Sequence, residues 1–214
     1  MPKSILDRLD EGRQYRNIDM SQIEVRETQD GEKIVEGYAT VFNTPYTLWS
    51  MDGYTVMEQV DRGAFDDCDI SDVIMQYNHE GRVFARTSNG TLEAAPDLKG
   101  LHTRARLGGT ELGNQVYNEI SGGYTNKMSI GFKVGEDKRE VTEDHEAGTV
   151  TVLRTITKIS KLYDVSAVSL PANDATSISA RNYGEGVIEE IKRELLARGD
   201  RDRRKRIIKM LTEV

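Results

Sequence analysis

The feature that most constrains the fold is a succession of short β-type runs that are separated by turn signals. From Ile23 to Leu170, apolar and β-branched residues repeatedly alternate with polar ones. Gln29-Asp30-Gly31 and Asn89-Gly90 mark two of the turns between these runs. Many short strands with few helices predict a mainly β protein of the α+β class, folded as a closed or nearly closed β-barrel with surrounding helices.

The strands can be placed from these runs. Predicted strands cover residues 23–25, 34–42, 54–60, 73–77, 83–87, 91–94, 101–107, 149–159 and 162–170. The segment that contains Trp49 is predicted to be a loop, and the highly charged residues 136–148 are predicted to form an excursion from the sheet. The strand that ends at Tyr77 carries Asn78-His79 at its C-terminal end.

Two regions have helical periodicity. Apolar residues spaced by four after the N-cap candidate Thr110 predict an amphipathic helix over residues 110–120. Residues 185–214 combine helical spacing with many charges, and Gly199-Asp200 is predicted to divide them into two helices. Residues 201–206 include five basic residues. We interpret this cluster as a solvated helix face, with a partner-docking or nucleic-acid tail as the alternative.

Composition and charge limit the classes of protein to which the chain can belong. Its 214 residues suffice for one sizeable core, and a net charge of −7 argues against nonspecific nucleic-acid binding. The single cysteine, Cys68, excludes an intramolecular disulfide. No apolar run approaches the roughly 20 residues of a membrane helix, and no signal-peptide core is present. An intracellular protein is expected, with neither metal nor cofactor, because no ligand spacing or phosphate-binding glycine loop occurs.

Ser129 is unusual for its position at the start of a predicted strand. It lies between Met128 and Ile130 and is followed by Gly131. Serine is a poor strand former, so its side chain either faces solvent or bonds to the preceding turn, or it acts as a nucleophile. A nucleophile needs a base within hydrogen-bond reach and a third group that orients the base. For an isolated serine the structural interpretation is favoured.

The three histidines differ in their surroundings. His145 lies in the charged segment and is interpreted as a surface residue, whereas His102 lies within a predicted strand. His79 follows an apolar strand, which is a place where sites are often built, although a structural role is also compatible with its position. Cys68 lies among aspartates that should raise the pKa of its thiol, so a cysteine nucleophile is not predicted.

Six short motifs, each weak by itself, occur in an order that resembles a known family. They are Gly37-Tyr38-Ala39-x-Val41-Phe42-Asn43, Gly63-Ala64-Phe65, Asn78-His79, Lys99-Gly100-Leu101, Met128-Ser129-Ile130-Gly131-Phe132 and Asp164-Val165-Ser166-x-Val168-x-x-Pro171-Ala172. Together, over residues 23–180, they resemble the prohead maturation proteases of tailed bacteriophages, which are distantly similar to the herpesvirus assemblins.

The resemblance implies a serine endopeptidase on an assemblin-like β-barrel. It assigns Ser129 as the nucleophile, His79 as the general base and Asp164 as the acidic third member. His102 and His145 are the alternatives for the third member, because assemblins use a histidine there. By analogy, the backbone of residues 171–173 is expected to supply the oxyanion donors.

The resemblance also implies a place in phage assembly. We expect the enzyme to cleave scaffold or the scaffolding part of the major capsid protein, and then itself, inside the procapsid in the host cytoplasm. A non-catalytic capsid-assembly module with the same barrel is the alternative, and a homo-oligomer is compatible with either. On this interpretation residues 1–20 form a mobile arm, residues 21–183 the protease domain, and residues 184–214 a charged helical tail.

Overall fold

The computed structural model describes residues 12–18, 23–168 and 178–212. The strands are β1 (Gln14–Ile18), β2 (Ile23–Glu27), β3 (Lys33–Val41), β4 (Tyr46–Met51), β5 (Tyr54–Val60), β6 (Ile74–Tyr77), β7 (Glu80–Arg86), β8 (Leu92–Pro96), β9 (Gly100–Arg106), β10 (Lys127–Asp144) and β11 (Thr149–Val168). The helices are a 3₁₀ turn (Thr87–Asn89), α1 (Glu111–Ser121) and α2 (Ile178–Thr212). The mainly β prediction is confirmed.

The strands form two sheets around one principal core. The larger sheet runs β1-β10-β11-β5-β4, with the β6–β7 hairpin joined to β11, and the smaller runs β2-β3-β9-β8. Buried side chains from both sheets meet in this core, including Ala39 and Leu101 from the smaller sheet and Phe132 and Val165 from the larger. Among the described residues, the strand pairing of neither sheet closes on itself, so the barrel stays a prediction.

The two longest strands, β10 and β11, form a hairpin. The prediction that residues 136–148 leave the sheet is therefore wrong. β10 continues through Asp144, and it pairs with β11 residue by residue from Asp137↔Ile156 to Asp144↔Thr149. The runs predicted as two strands at residues 149–159 and 162–170 form the single strand β11 up to Val168. The charged residues are compatible with a strand because the outer half of β10 is largely exposed.

The predicted amphipathic helix is confirmed as α1. Thr110 is its N-cap, with an extended backbone and a side-chain oxygen that accepts a hydrogen bond of 3.0 Å from the backbone N–H of Gly113. Val116, Tyr117 and Ile120 are buried on its inner face. The helix therefore covers one side of the principal core, as its spacing predicted.

A second, smaller core lies between β4 and α2. Leu48 and Trp49 of β4 pack there with Val187, Ile188 and Ile191 of α2. The segment that contains Trp49 was predicted to be a loop, but it forms an edge strand whose apolar side chains are covered by the helix. The predicted helix break is also wrong, because α2 runs as one helix through residues 199 and 200.

The N-terminal end of the described chain is part of the larger sheet. Residues 1–20 were predicted to be a mobile arm, yet Gln14–Ile18 forms β1, which pairs antiparallel with β10 from Gln14↔Phe132 to Ile18↔Met128. β1 is an edge strand, since β10 is its only neighbour in the strand order of that sheet. This places the N-terminal segment directly beside Ser129.

Candidate active site

The backbone of the β6–β7 hairpin determines the position of His79. Tyr77 pairs with Glu80, so Asn78 and His79 form a two-residue turn in which both residues have positive φ angles of 51° and 61°. Such a turn matches the right-handed twist of the strands, and asparagine and histidine tolerate this conformation better than most residues. The N–H of Asn78 donates to the carbonyl of Ala167 at 2.9 Å, which ties the turn to β11.

The pairing of β10 with β11 places the other polar residues on one surface. Ser129 is opposite Ser166, and Gly131 is opposite Asp164. Since residues two apart on a strand share a face, these positions form a cross-strand group. Ser129, Asp164 and Ser166 are fully buried, so each hydroxyl and carboxylate needs a hydrogen-bond partner within the protein.

The structure brings together the three residues that the sequence singled out. The Nε2 atom of His79 lies 2.6 Å from Oγ of Ser129, and its Nδ1 atom lies 2.6 Å from Oδ1 of Asp164. A carboxylate at Nδ1 favours the tautomer that carries its proton there, which leaves Nε2 able to accept the serine proton. The hydroxyl, the imidazole and the carboxylate thus form one continuous hydrogen-bonded chain.

Asp164 is held in its ionised form by several donors. Ser166 Oγ donates to the Oδ1 atom of Asp164 at 2.6 Å, and the guanidinium of Arg13 forms an ion pair with Oδ2. Burial raises the pKa of the Asp164 carboxyl, but the hydrogen bonds and charge from His79, Ser166 and Arg13 outweigh burial and hold that pKa below its ordinary value. An ionised carboxylate at this position can support an imidazolium on His79.

Gly131 makes room for this carboxylate. A Cβ atom at residue 131 would overlap the Oδ2 atom of Asp164 and would lie 2.9 Å from Nε of Arg13. The backbone of β10 therefore has to approach the carboxylate without a side chain. This contact gives a physical reason for the glycine two residues after Ser129.

The other sequence candidates lie away from this group. His102 is on β9 in the smaller sheet, with Nε2 3.1 Å from Oε1 of Glu36, and His145 is exposed in the β10–β11 turn. Burial raises the pKa of the Cys68 thiol to about 11, which disfavours a thiolate there. Residues 171–173, the expected source of oxyanion donors, fall outside the described residues.

The described part of the chain contains no cluster of three or more histidine, cysteine or acidic side chains arranged to hold a metal ion. No helix within the described ranges has the length and apolarity needed to cross a membrane.

Comparison with known proteins identifies the family. The sequence profile of the Caudovirus prohead serine protease family matches residues 21–192, which is most of the chain. The chain belongs to this family. The resemblance drawn from the six motifs is therefore confirmed, and the described geometry can be considered as that of a prohead serine protease.

A solved structure similar to this prohead serine protease is the bacteriophage T4 capsid assembly protease, gp21. The two chains are 12% identical, with a TM-score of 0.41, and the match covers 74% of this chain and 98% of gp21. The comparison with curated protein sequences gives no match.

Sequence reasoning missed the contribution of β1 to the site of this prohead serine protease. Tyr15 packs on His79 with ring centroids 4.4 Å apart, and the carbonyl oxygen of Arg16 lies 2.9 Å from Oγ of Ser129. Residues 12–18 show no clear β period and are mostly polar, so no local pattern indicated a strand. The only local signal is Tyr15 between polar residues, which is too weak to predict pairing with a strand 113 residues away.

Proposed function

We propose that the chain is a serine endopeptidase in which Ser129 is the nucleophile, His79 the general base and Asp164 the residue that orients the base. The observation that carries the proposal is the hydrogen-bonded chain of Ser129, His79 and Asp164, with 2.6 Å at each of its two links. A serine hydroxyl is a poor nucleophile unless a base removes its proton, and a base is effective only when it is held in one tautomer.

The proposed reaction follows from these contacts. His79 Nε2 takes the hydroxyl proton as Ser129 Oγ attacks the peptide carbonyl, and Asp164 stabilises the charge that develops on the imidazole. The imidazole then gives the proton to the leaving amine, and a water molecule hydrolyses the acyl-enzyme by the same steps in reverse. The backbone of residues 171–173 is proposed to donate to the oxyanion.

The family assignment supports a role in phage capsid maturation. We infer that the substrates are scaffold or the scaffolding part of the major capsid protein, and finally the protease itself, inside the procapsid in the host cytoplasm. The proposal includes an assemblin-like barrel, which agrees with two sheets that share one core, and it allows assembly into a homo-oligomer. A non-catalytic assembly module is disfavoured because such a module has no need of a buried serine hydrogen-bonded to a histidine.

Ser129→Ala tests the proposal. The variant should fold, because it removes one oxygen from a buried site, and it should lose cleavage of co-expressed major capsid protein by several orders of magnitude. Ser50→Ala, at an exposed serine of β4, is the matched control and should process normally. Full processing of the capsid protein by a folded Ser129→Ala variant would show that the nucleophile is another residue.

A further inference from the structure

β1 and the residue that precedes it, Arg13, together contact all three members of the proposed catalytic group. Arg13 forms an ion pair with Asp164, Tyr15 packs on the His79 ring, and the carbonyl oxygen of Arg16 lies 2.9 Å from Oγ of Ser129. Ser129 is fully buried and the His79 side chain is only 14% exposed. A substrate peptide therefore has to take the place of β1, or β1 itself has to be the substrate.

The backbone of β1 presents a peptide bond to the serine. Asn17 pairs with Ser129 across the ladder, and the carbonyl oxygen of the preceding residue, Arg16, lies 2.9 Å from the serine Oγ. The Arg16–Asn17 peptide bond is thus the one beside the proposed nucleophile. Proteases commonly bind substrates as an added antiparallel strand, and β1 is added to β10 in this way. The single proton of the Ser129 hydroxyl has two acceptors within reach, His79 Nε2 and this carbonyl oxygen, and its transfer to Nε2 frees Oγ to move from the oxygen toward the carbonyl carbon.

The side chain of Arg16 lies in a buried acidic site. Its Nε donates to Oε1 of Glu58 at 2.6 Å and its Nη2 donates to Oε2 at 3.2 Å, a bidentate pair. Tyr46 donates to the same carboxylate at 2.5 Å, and Nη2 of Arg16 also donates to Gln14 at 2.8 Å. Arg16 is 4% exposed and Glu58 is 0% exposed. Such a site recognises a planar cation through both charge and direction.

Arg16 adds a positive charge to a network of ion pairs around Glu58. Arg154 donates to Glu58 at 2.9 Å and also forms an ion pair with Asp137. Arg139 lies 3.7 Å from the carboxylate of Asp137 and forms a further ion pair with Glu190. These five side chains carry three negative and two positive charges, and Arg16 supplies the third positive charge. Without Arg16, the buried carboxylate of Glu58 keeps Arg154 as a cationic partner but loses its bidentate pair. The site is therefore suited to a basic side chain that a bound strand brings with it.

From these observations we propose that β1 occupies the substrate groove as an intramolecular substrate, that Arg16–Asn17 is a self-cleavage bond, and that Glu58 selects arginine or lysine immediately before the cleaved bond. This inference rests on the proposed protease function, and it adds the substrate class and one cleavage site. The substrates are extended peptides that pair with β10 and insert a basic side chain beside Glu58.

The chemical step balances within this arrangement. Ser129 Oγ bonds to the carbonyl carbon of Arg16 while its proton passes to His79 Nε2. The C–N bond to Asn17 then breaks, and the nitrogen of Asn17 takes the proton from His79 to become a new N-terminus. Water attacks the remaining ester with His79 as base, which leaves a carboxylate on Arg16 and restores the hydroxyl of Ser129.

The position of the cut in the full-length protein is the primary test. Intact-mass measurement and N-terminal sequencing should find wild-type chains that begin at Asn17, whereas Ser129→Ala should keep residues 1–16 attached. Arg16→Lys should retain the cut, and Arg16→Leu should slow it by about 10²-fold or more, because Glu58 then loses the bidentate one of its two arginine partners and keeps only Arg154. Arg26→Leu, at an exposed arginine of β2, is the matched control and should be cut at the wild-type rate.

Arg16→Leu can also weaken the fold, so a second measurement uses only wild-type enzyme. Co-expressed major capsid protein is processed, and the new N-termini of its fragments are sequenced. The residue that precedes each new N-terminus should be arginine or lysine.

The outcomes separate this inference from the proposed function. Capsid protein that is cut after non-basic residues, or processed while residues 1–16 stay attached to the protease, would overturn the inference and leave the proposed function standing. Failure of wild-type protein to process either the capsid protein or itself would overturn both.

Discussion

Gly131 and Asp164 face each other across β10 and β11, and the carboxylate of Asp164 occupies the space that a side chain at residue 131 would fill. The glycine thereby allows Oδ1 of Asp164 to reach His79 while Oδ2 pairs with Arg13. The requirement for glycine is steric and specific to this site, because the φ angle of Gly131 is not positive and its backbone conformation does not itself favour glycine.

Gly131→Ala should displace the Asp164 carboxylate and lower the rate of capsid-protein cleavage by at least about 10²-fold, since small misplacements of catalytic groups have effects of this size. Circular dichroism should show a folded protein. Gly109→Ala is the control, because a Cβ atom there meets no neighbour within 4 Å. Wild-type activity in Gly131→Ala would mean that the position of this carboxylate does not matter for the reaction.

Asp164→Asn should keep the fold and reduce kcat by about 10⁴-fold, because an amide cannot stabilise the imidazolium and favours the wrong tautomer of His79. Single-turnover cleavage of the capsid protein measures this effect. His102→Ala and His145→Ala should both remain within about threefold of wild type, since neither histidine contacts the site. A large loss in either histidine variant, with a mild effect of Asp164→Asn, would contradict the assignment.

Ser166→Ala should lower kcat by about tenfold, because it removes the hydrogen bond that Ser166 donates to Oδ1 of Asp164 at 2.6 Å. KM should change little if Ser166 acts only through Asp164. The pH–rate profile should also shift, since the carboxylate that supports His79 has lost one donor. A variant with unchanged kcat and pH profile would show that this hydrogen bond has only a structural role.

Acid should destabilise the protein through Glu58. Burial raises the pKa of Glu58, but the charges of Arg16 and Arg154 outweigh it and lower this pKa to about 2. An unfolded glutamate titrates near pH ~4.3, so the stability from the ionised carboxylate is complete above that pH and is lost as the pH falls toward 2. The thermal unfolding midpoint of Ser129→Ala protein should fall as the pH is lowered. Adding Glu58→Gln to this variant should make the midpoint less dependent on pH. Adding Glu93→Gln instead, at an exposed residue, should leave the decline unchanged.

The C-terminal helix should divide into a required and a dispensable part. Val187, Ile188 and Ile191 are buried against β4, so Ile188→Asp should lower the thermal unfolding midpoint by several degrees or more. Removal of residues 200–214 should leave both the midpoint and capsid-protein cleavage near wild type. A stable Ile188→Asp variant would show that the second core contributes little. Residues 184–214 were predicted to be a charged helical tail, and three residues of that tail are buried in the second core.

Local patterns determined the mainly β class and helix α1, and the resemblance of six short motifs to a known family assigned the three residues of the candidate site. The turn at Asn78-His79 can be predicted because an apolar run ends at Tyr77 and is followed by these two residues, which tolerate positive φ. Ser129 and Asp164 were assigned through short motifs of neighbouring residues that resemble those of the family. These features depend on neighbouring residues, so they can be recognised without knowledge of distant contacts.

The tertiary structure alone decided the role of β1 and the partners of its charged residues. Arg16 looks like a solvated residue in the sequence, because burial of a guanidinium is favourable only beside a carboxylate, and that carboxylate, Glu58, lies 42 residues away. Likewise, the charged half of β10 becomes a strand because β11 supplies a β-branched partner across a long hairpin. Pairing between distant strands leaves no local period in the sequence. For this reason the sequence alone did not predict that β1 is a strand that covers Ser129.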